Sequence, residues 1–369
     1  SNSSVVYDER LILKVFRTIS PGPNPDFEVP FFLTTRTDFD YVPKVAGYLE
    51  YHPTGNESTS AAVLQDFVSN QGDCYTNALR WVREYCDAAL AFIEENPDYT
   101  PQEQRAEAVR WTYSTQKRVH RLGLISGQLH NALASSHEPP DFRPETVTIN
   151  DVERWETGIA NEIREAIGSL RARSAALPPH ERDLLHSITE QEFQYQRLLG
   201  GLDVLYEEQC VKIRCHGDYH LGQVLQAGND FIVLDFEGEP ARPLAERRAK
   251  HCPLRDVAGL LRSFDYAAYG ALFALWQERA SDDKEKAQLE SWAQTWRDLA
   301  CDALVAGYHE AIDASTGPRF APSESAAFSR VVRIFQIEKA FYELIYEFNN
   351  RPDWIPIPAR GLLRALTSD

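Results

Sequence analysis

A loop and the strand after it carry more polar side chains than a turn requires. The segment CHGDYHLGQVL (215–225) contains His216, Asp218 and Gln223, and Asp235 ends the next strand, in LDFEGEP. A turn would explain one Asp and a glycine, whereas two carboxylates and an amide oxygen on adjacent β segments suit phosphoryl transfer. One carboxylate can take the proton of an acceptor hydroxyl, while the other and the amide hold Mg²⁺ against nucleotide phosphates.

The individual residues of this loop also have structural interpretations. Asp218 alone could cap the loop, because Asp is common in turns; its spacing to Gln223 and Asp235 favours catalysis. His216 is typical of a residue that braces a loop through a backbone hydrogen bond, and we interpret it as structural. The role of His220 stays open.

The elements that must position these residues begin with a β-rich stretch. SVVY and RLILKVFR alternate as a hairpin would, and YLEYH and AAVLQDFV predict two further strands. Helical periodicity follows, interrupted by a short β unit at 211–235. We therefore predict an α+β fold with a small β-rich N-lobe, residues 1–72, and a large, mainly helical C-lobe, residues 73–369, that holds the catalytic loop.

Composition excludes several classes of protein. A chain of 369 residues with 43% hydrophobic residues can bury a substantial core and is not mainly disordered. The net charge of −17 argues against a surface for nucleic acid or an anionic membrane, since phosphate binding depends on clustered Lys and Arg. The sequence shows no signal peptide, no membrane-spanning apolar run and only scattered cysteines, so we expect a cytoplasmic protein with free thiols.

These segments resemble one family. HGDYHLGQVL followed by VLDFEGEP resembles the catalytic loop and metal-binding segment of the aminoglycoside phosphotransferase-like kinases, which are relatives of protein kinases. LILKVFR, NPDFE, AAVLQDFVSNQGD, PLRDVAGLLRSFDYAA and EKAFYELIYEFNNRPDW resemble segments of bacterial maltokinases, so the resemblance covers nearly the whole chain. It implies a bilobal protein-kinase-like fold, ATP and Mg²⁺ as cofactors, and phosphorylation of maltose at the anomeric hydroxyl to give maltose 1-phosphate.

The resemblance also implies roles for individual residues. Asp218 is the expected catalytic base, and Gln223 and Asp235 are the expected magnesium ligands; many relatives carry Asn in place of Gln223. Lys14 takes the place of the lysine that holds the α- and β-phosphates, with Glu28 as its expected ion-pair partner. The phosphate-covering loop and the adenine-binding hinge are assigned to SNSS, with Ser1, Ser3 and Ser4, and to LQDFV, with Gln65, Asp66, Phe67 and Val68.

Two of these roles have alternatives in the sequence itself. Lys14 could be an ordinary edge-strand lysine. It shares a strand face with Ile12 and Phe16, however, and that inward placement is unusual for an unpaired lysine. Glu28 could be a solvated carboxylate at a helix start, favoured by the helix dipole.

The acceptor site is predicted on the last long helix of the periodic pattern. Lys339, Glu343 and Tyr346 fall at four- and three-residue steps and so share one face, and Trp354 in NRPDW could offer an aromatic plane to a sugar. The alternative is a surface helix with Lys–Glu pairs. The resemblance favours the sugar role, with Asp218 contacting the reacting hydroxyl.

Other functions and other segments stay open at this point. A protein of the same fold could phosphorylate glucosamine, an aminoglycoside or another amino sugar, because an acidic protein suits a cationic acceptor. Alternatively, the chain could be a non-catalytic kinase-like binding module. The resemblance implies an N-terminal cap, which we expect to be missing because the sequence opens within a sheet and contains no Met. It also allows association or fusion with a trehalose-converting enzyme.

Overall fold

The structure is a computed structural model that describes residues 2–54, 57–136, 138–173, 179–240, 242–279 and 282–367. By the contacts among its residues the chain divides into two compact units, each discontinuous in sequence. The first unit comprises Ser1–Arg143, Arg214–Lys250 and Ala267–Gly317, and the second comprises Pro144–Ile213, His251–Tyr266 and Pro318–Asp369. The lobe boundary expected at residue 72 falls between a strand and a helix of the first unit, and it stays a prediction.

The described residues form eight strands and twelve α-helices. The strands are β1 (Ser3–Tyr7), β2 (Leu11–Val15), β3 (Val45–Tyr51), β4 (Thr59–Asp66), β5 (Glu145–Thr146), β6 (Val211–Lys212), β7 (Val224–Ala227) and β8 (Asp230–Val233). The helices are α1 (Pro25–Arg36), α2 (Cys74–Glu95), α3 (Pro101–Leu133), α4 (Ile149–Arg173), α5 (Pro179–Thr189), α6 (Glu192–Leu198), α7 (Asp203–Glu207), α8 (Leu244–Arg247), α9 (Leu254–Glu278), α10 (Asp283–Asp313), α11 (Ser325–Asn350) and α12 (Pro356–Thr367).

The first unit begins with a four-stranded antiparallel sheet of order β1-β2-β4-β3. The register pairs Lys14 of β2 with Val63 of β4. Since side chains alternate along a strand, Ile12 and Lys14 project from the same face. Val63 is buried with Phe16 and Phe27 in a small apolar core, which ties α1 to the sheet.

Helix α1 positions two carboxylates of the predicted nucleotide site. The Asn24 side chain caps it by accepting a hydrogen bond from the Asp26 backbone N–H at 2.9 Å. Pro25 suits the first turn of a helix, where no backbone N–H is required. Asp26 and Glu28 lie two residues apart in this turn, and so they project about 200° apart around the helix axis.

Helices α3 and α10 of the first unit pack at very short range. A Cβ atom on Gly123 would lie 2.0 Å from the carbonyl oxygen of Leu304, and one on Gly307 would lie 1.9 Å from that of His120. The pair therefore requires glycine at both crossing points. Helix α3 also contacts β8, so this packing supports the hairpin of β7 and β8 that carries part of the predicted site.

The second unit is mainly helical. Helix α11 packs against α4 and α12, and the rings of Tyr195 and Phe341 meet edge to face in the core at 5.1 Å. The α+β class predicted from the sequence is thus confirmed, with a small antiparallel sheet and a mainly helical remainder. None of the described helices combines the length and apolar character needed to cross a bilayer.

Candidate active site

The first unit contains a cavity of about 340 Å³, within the size range of small-molecule sites. Lys14, Gln223 and Asp235 line it, as predicted for the phosphate and metal positions. The cavity is also lined by Ser4 and by the predicted hinge residues Gln65, Asp66, Phe67 and Val68. Apolar walls are supplied by Ile12, Pro30, Pro43, Leu225, Val233, Leu234 and Phe236. One cavity therefore collects residues that were predicted separately for phosphate, metal and adenine.

Three carboxylates surround Lys14. Its Nζ lies 2.6 Å from Asp26 Oδ2, 2.5 Å from Asp235 Oδ1 and 3.1 Å from Glu237 Oε1. Carboxylate oxygens of these three acids lie within 4.8 Å of one another. Three acids around one lysine leave the cluster short of positive charge, and hard oxygen donors at this spacing are the ligands that Mg²⁺ prefers. The residues present therefore fit a magnesium ion.

The pKa values in this cluster reflect the crowding of charge. Burial raises the pKa of Asp26, and the neighbouring carboxylates of Asp235 and Glu237 also raise it, against the attraction of Lys14. Burial would raise the pKa of Asp235 as well, but the Lys14 ammonium outweighs burial and holds that pKa below its ordinary value of 3.8. Burial disfavours the charged form of Lys14, yet the two aspartates keep its pKa far above neutrality. Lys14 and Asp235 are therefore both charged near neutral pH.

The backbone of Asp235 adopts a conformation that favours glycine. Its φ is 62°, which costs a residue with a side chain about 1–2 kcal/mol. Two hydrogen bonds hold this segment, since Asp26 Oδ1 accepts the Phe236 N–H at 2.9 Å and Gln223 Nε2 donates to Asp235 Oδ2 at 3.1 Å. A strained backbone at an acidic cavity residue is typical of functional sites.

The loop that carries Asp218 is bonded to the strand that leads to Asp235. His216 Nε2 donates to the carbonyl oxygen of Leu234 at 2.8 Å, and His216 Nδ1 lies 3.4 Å from the Asp218 backbone nitrogen. The Leu234 N–H donates in turn to the Gln223 carbonyl oxygen at 2.9 Å. The buried His216 therefore braces the loop, in agreement with its structural interpretation.

Two glycines let the loop at 215–225 and the segment that follows β8 approach each other. Gly217 and Gly238 have φ values of 83° and 70°, and a Cβ atom on Gly217 would lie 3.3 Å from Gly238 Cα. His220 Nε2 lies 3.8 Å from Asp218 Oδ2. Asp218 is not among the residues that line the cavity, and its role as catalytic base stays a prediction.

The expected pairing of Glu28 with Lys14 was wrong. Glu28 accepts hydrogen bonds from Arg214 and Arg248 instead, and Asp26 takes the place beside Lys14. The reason is helical geometry, because two residues that lie two positions apart point to different sides of α1. The sequence NPDFE offered both carboxylates, and only the start of the helix decides which of them faces the cavity.

The three serines predicted for the phosphate loop have different positions. Ser4 lines the cavity, whereas Ser3 Oγ accepts a hydrogen bond from Arg17 Nε at 2.9 Å. Ser1 lies outside the described residues. Asn2 was not predicted, and its side-chain amide donates to Glu237.

Sequence reasoning missed two members of the acidic cluster, Asp26 and Glu237. The signal for Glu237 was present, because it is the second acid of DFEGE and stands two residues after Asp235. The chain turns here, with a φ of 62° at Asp235, so this turn rather than strand alternation brings the two carboxylates together.

The residues predicted for the acceptor lie in the second unit. Glu343 accepts hydrogen bonds from Arg262 Nε and Nη2 at 2.9 and 2.6 Å. Lys339 Nζ lies 4.9 Å from the centre of the Tyr342 ring. Glu343 is therefore held by an arginine, and the positive charge of Lys339 acts on it as well.

Arg351 brings together the two aromatic residues predicted for the sugar. Its guanidinium lies 5.6 Å from the centre of the Tyr346 ring and 4.6 Å from that of Trp354. It also donates two hydrogen bonds to Glu347, at 2.9 and 2.7 Å. A sugar-binding role for Tyr346, Trp354, Lys339 and Glu343 stays a prediction.

Comparison with known proteins finds two glucosamine kinases among the relatives of this chain. No family model matches the chain. A glucosamine kinase of Streptacidiphilus jiangxiensis is 24% identical over 244 residues, which are 66% of this chain and 48% of that protein. A glucosamine kinase of Mycolicibacterium smegmatis is 23% identical over 364 residues, which are 98% of this chain and 76% of that protein. The match thus spans about half the length of the first relative and about three quarters of the second.

Solved structures of the same kind share the fold. A glucosamine kinase in its crystal form B has a TM-score of 0.72 at 20% identity, over 99% of this chain and 77% of that one. A glucosamine kinase in complex with glucosamine, ADP and inorganic phosphate has a TM-score of 0.71 at 20% identity, over 98% and 73%. These likenesses confirm the kinase-like fold that was predicted from the sequence. They do not single out maltokinase.

Proposed function

We propose that the protein is an ATP- and Mg²⁺-dependent kinase of a sugar hydroxyl, with an amino sugar, glucosamine first, as the acceptor. The observation that carries this proposal is the cavity at which Lys14 meets three carboxylates, lined on its other sides by the predicted hinge. The names of the matched relatives support glucosamine over the maltose expected from the sequence. An acidic protein of net charge −17 also suits a cationic acceptor.

In this proposal the chain's own residues divide the work of binding. The hinge backbone from Gln65 to Val68 pairs with adenine between the apolar walls, and Lys14, which lines the same cavity, holds the phosphates. Asp235 and Gln223 would hold Mg²⁺, with Glu237 as a third oxygen donor. When bound there, Mg²⁺ would supply positive charge against the negative charge that develops on the phosphates during transfer.

Asp218 is assigned the chemical step. Its carboxylate orients the acceptor hydroxyl and takes the hydroxyl proton while the oxygen–phosphorus bond forms and the bond from the γ-phosphorus to the bridging oxygen breaks, so that ADP leaves. His216, bonded to Leu234 O at 2.8 Å, keeps this loop in register with the metal segment. Lys14 stabilises the charge on the phosphates.

A specific observation favours maltose as a second candidate. All three carboxylates of α11 are engaged by arginines: Glu338 by Arg255, Glu343 by Arg262 and Glu347 by Arg351. Carboxylates that already hold guanidinium groups are poor partners for the ammonium group of an amino sugar. If the acceptor meets this helix, a neutral sugar suits it better.

The test is ATP consumption by the purified protein with glucosamine, maltose, glucose and kanamycin, each with and without EDTA. We expect turnover with glucosamine that EDTA abolishes. Asp218→Asn should reduce turnover by about 10²–10⁴-fold, the usual contribution of a general base, and leave ATP binding intact. Asp87→Asn, which alters an exposed aspartate paired with Arg83, serves as the matched control and should be fully active.

Three results would count against the proposal. Turnover with maltose and with no other sugar would show that the acceptor is maltose, and the proposed kinase activity would stand. ATP binding without turnover of any sugar would favour a non-catalytic module, and full activity of Asp218→Asn would remove the assigned base.

A further inference from the structure

A second charged cluster in the first unit has no role in the mechanism above. Glu28 Oε2 accepts hydrogen bonds from Arg214 Nη2 and Arg248 Nε, both at 3.0 Å, and Glu28 Oε1 accepts one from Arg248 Nη2 at 2.9 Å. Burial would raise the pKa of Glu28, but the two arginines outweigh it and lower that pKa. Glu28 is therefore an ionised carboxylate held by two guanidinium groups.

Arg214 connects this carboxylate to the catalytic loop, because it stands four residues before Asp218. Its side chain is only 1% exposed. The guanidinium lies 5.1 Å from the centre of the Phe142 ring, which stacks on Phe32 of α1 at 4.0 Å. A buried guanidinium is costly unless it is paired with a carboxylate, and Glu28 supplies that partner.

Arg248 connects the same carboxylate to the metal segment. Its neighbour Arg247 donates from Nη1 to the backbone carbonyl oxygen of Glu237 at 3.0 Å. Two adjacent arginines thus join Glu28 to the backbone that follows Asp235.

The first turn of α1 therefore holds the parts of the site from two sides. On one side Asp26 pairs with Lys14 and accepts the N–H of Phe236. On the other side Glu28 holds Arg214 and so the start of the catalytic loop. A shift of this single turn would move the lysine, the metal segment and the loop together.

We propose that Glu28 is a positioning residue, which acts through Arg214 to set where the loop places Asp218. This inference rests on the proposed phosphotransfer. Gly217 has a φ of 83° and lacks the side chain that would restrict the loop, so anchors on either side help to set the position of Asp218. Arg214 and His216 lie before it, and Tyr219, whose OH lies 3.0 Å from Ser126 Oγ, lies after it. A displacement of about 1 Å at a reacting group can cost about a hundredfold in rate.

The experiment compares Glu28→Gln and Arg214→Lys with the wild-type protein. Both variants should lower kcat at least about tenfold, while KM for ATP and the Kd for ATP change less than about threefold, because the nucleotide contacts are separate from this anchor. The thermal midpoint is measured in parallel, and kcat is expressed per folded protein. Amide hydrogen exchange over residues 214–223 should accelerate in both variants, since the loop loses an anchor.

Asp141→Asn is the matched control. Asp141 Oδ2 accepts a hydrogen bond from the same Arg248 at 3.0 Å, but its side chain is 62% exposed. The control should keep kcat and the exchange of the loop within about twofold of the wild type.

The inference is overturned if both variants keep kcat within about twofold while only the thermal midpoint falls, because Glu28 would then serve stability alone. An equal loss of kcat in Asp141→Asn, or failure of both Glu28→Gln and Arg214→Lys to fold, would also overturn the inference. The exchange measurement needs no turnover, so it tests the anchor even if the wild-type protein phosphorylates none of the sugars. An absence of wild-type turnover counts against the proposed function. The hydrogen-exchange measurement then decides whether Glu28 anchors the loop.

Discussion

Two acidic clusters of this protein differ in how their charge is balanced. In the first unit, Asp26, Asp235 and Glu237 share Lys14. In the second unit, two carboxylates meet two arginines. Arg262 bonds Glu343 at 2.6 Å and Asp265 at 2.6 Å, and Arg364 bonds Asp265 at 2.5 Å.

The difference indicates what each cluster is for. A buried carboxylate with its own arginine is satisfied within the fold, and the pair serves structure or specificity. In a cluster with more acids than cations the carboxylates repel one another, and binding of a further cation would reduce that repulsion. The strained φ of 62° at Asp235 is a feature of the unbalanced cluster, whereas burial raises the pKa of a carboxylate in each cluster, Asp26 in the first and Glu343 in the second. A functional role is therefore expected for the cluster with unbalanced charge, and a stabilising role for the cluster whose carboxylates are paired with arginines.

The largest expected effect on stability lies in the balanced cluster. Glu343→Gln leaves Arg262, which is 3% exposed, with half of its carboxylate partners. We expect the free energy of unfolding to fall by about 3 kcal/mol, as when a buried ion pair is broken, measured by urea denaturation. Glu192→Gln removes a half-buried partner of the exposed Arg171 and should cost less than about 1 kcal/mol. Equal losses in the two variants would contradict the comparison.

A smaller effect is expected when an acid is removed from the unbalanced cluster. Glu237→Gln relieves repulsion around Lys14, so the thermal midpoint of the nucleotide-free protein should stay the same or rise. The further rise on adding Mg²⁺ with ADP should be smaller than in the wild-type protein, because an oxygen ligand is lost. ADP with EDTA is the control. A midpoint several degrees lower without nucleotide would mean that this cluster, too, is balanced.

The smallest expected effect concerns the pH dependence of stability. It tests whether pairing with arginine, rather than the unit in which a carboxylate lies, decides whether that carboxylate stabilises the fold. Glu28 is a paired carboxylate of the first unit, and its two arginines lower its pKa from the ordinary value of 4.5. Its contribution to stability is therefore complete above that value and is lost as the pH falls through the lower folded pKa. The difference in unfolding free energy between the wild type and Glu28→Gln should be constant near neutral pH and shrink below about pH 4.5. A difference that grows with acidity would reverse the assignment.

The residues that line the cavity could be predicted from the sequence to a large extent. Lys14, Gln223, Asp235 and the hinge were identified from residue type, spacing and resemblance, and the structure places them on one cavity. Their common position could be predicted because each lies near the end of a strand or in a loop with a recognisable local pattern, and their roles stay predictions.

The partner of Lys14 and the state of the acceptor helix could not be predicted in the same way. Asp26 and Glu28 are both acids of one helix start, and Glu343 has the same periodicity whether it binds a sugar or an arginine. Each of these assignments depends on which distant side chain lies opposite, such as Arg214, 186 positions from Glu28.

The sequence by itself determined the local order of strands, helices and turns and the kinds of side chain brought to each, because these follow from short-range periodicity and backbone preference. Only the tertiary structure decided which charges pair and which are left over. Electrostatic partners are determined by proximity in space. The partners of Lys14, Arg214 and Arg262 therefore cannot be read from the positions of these residues along the chain.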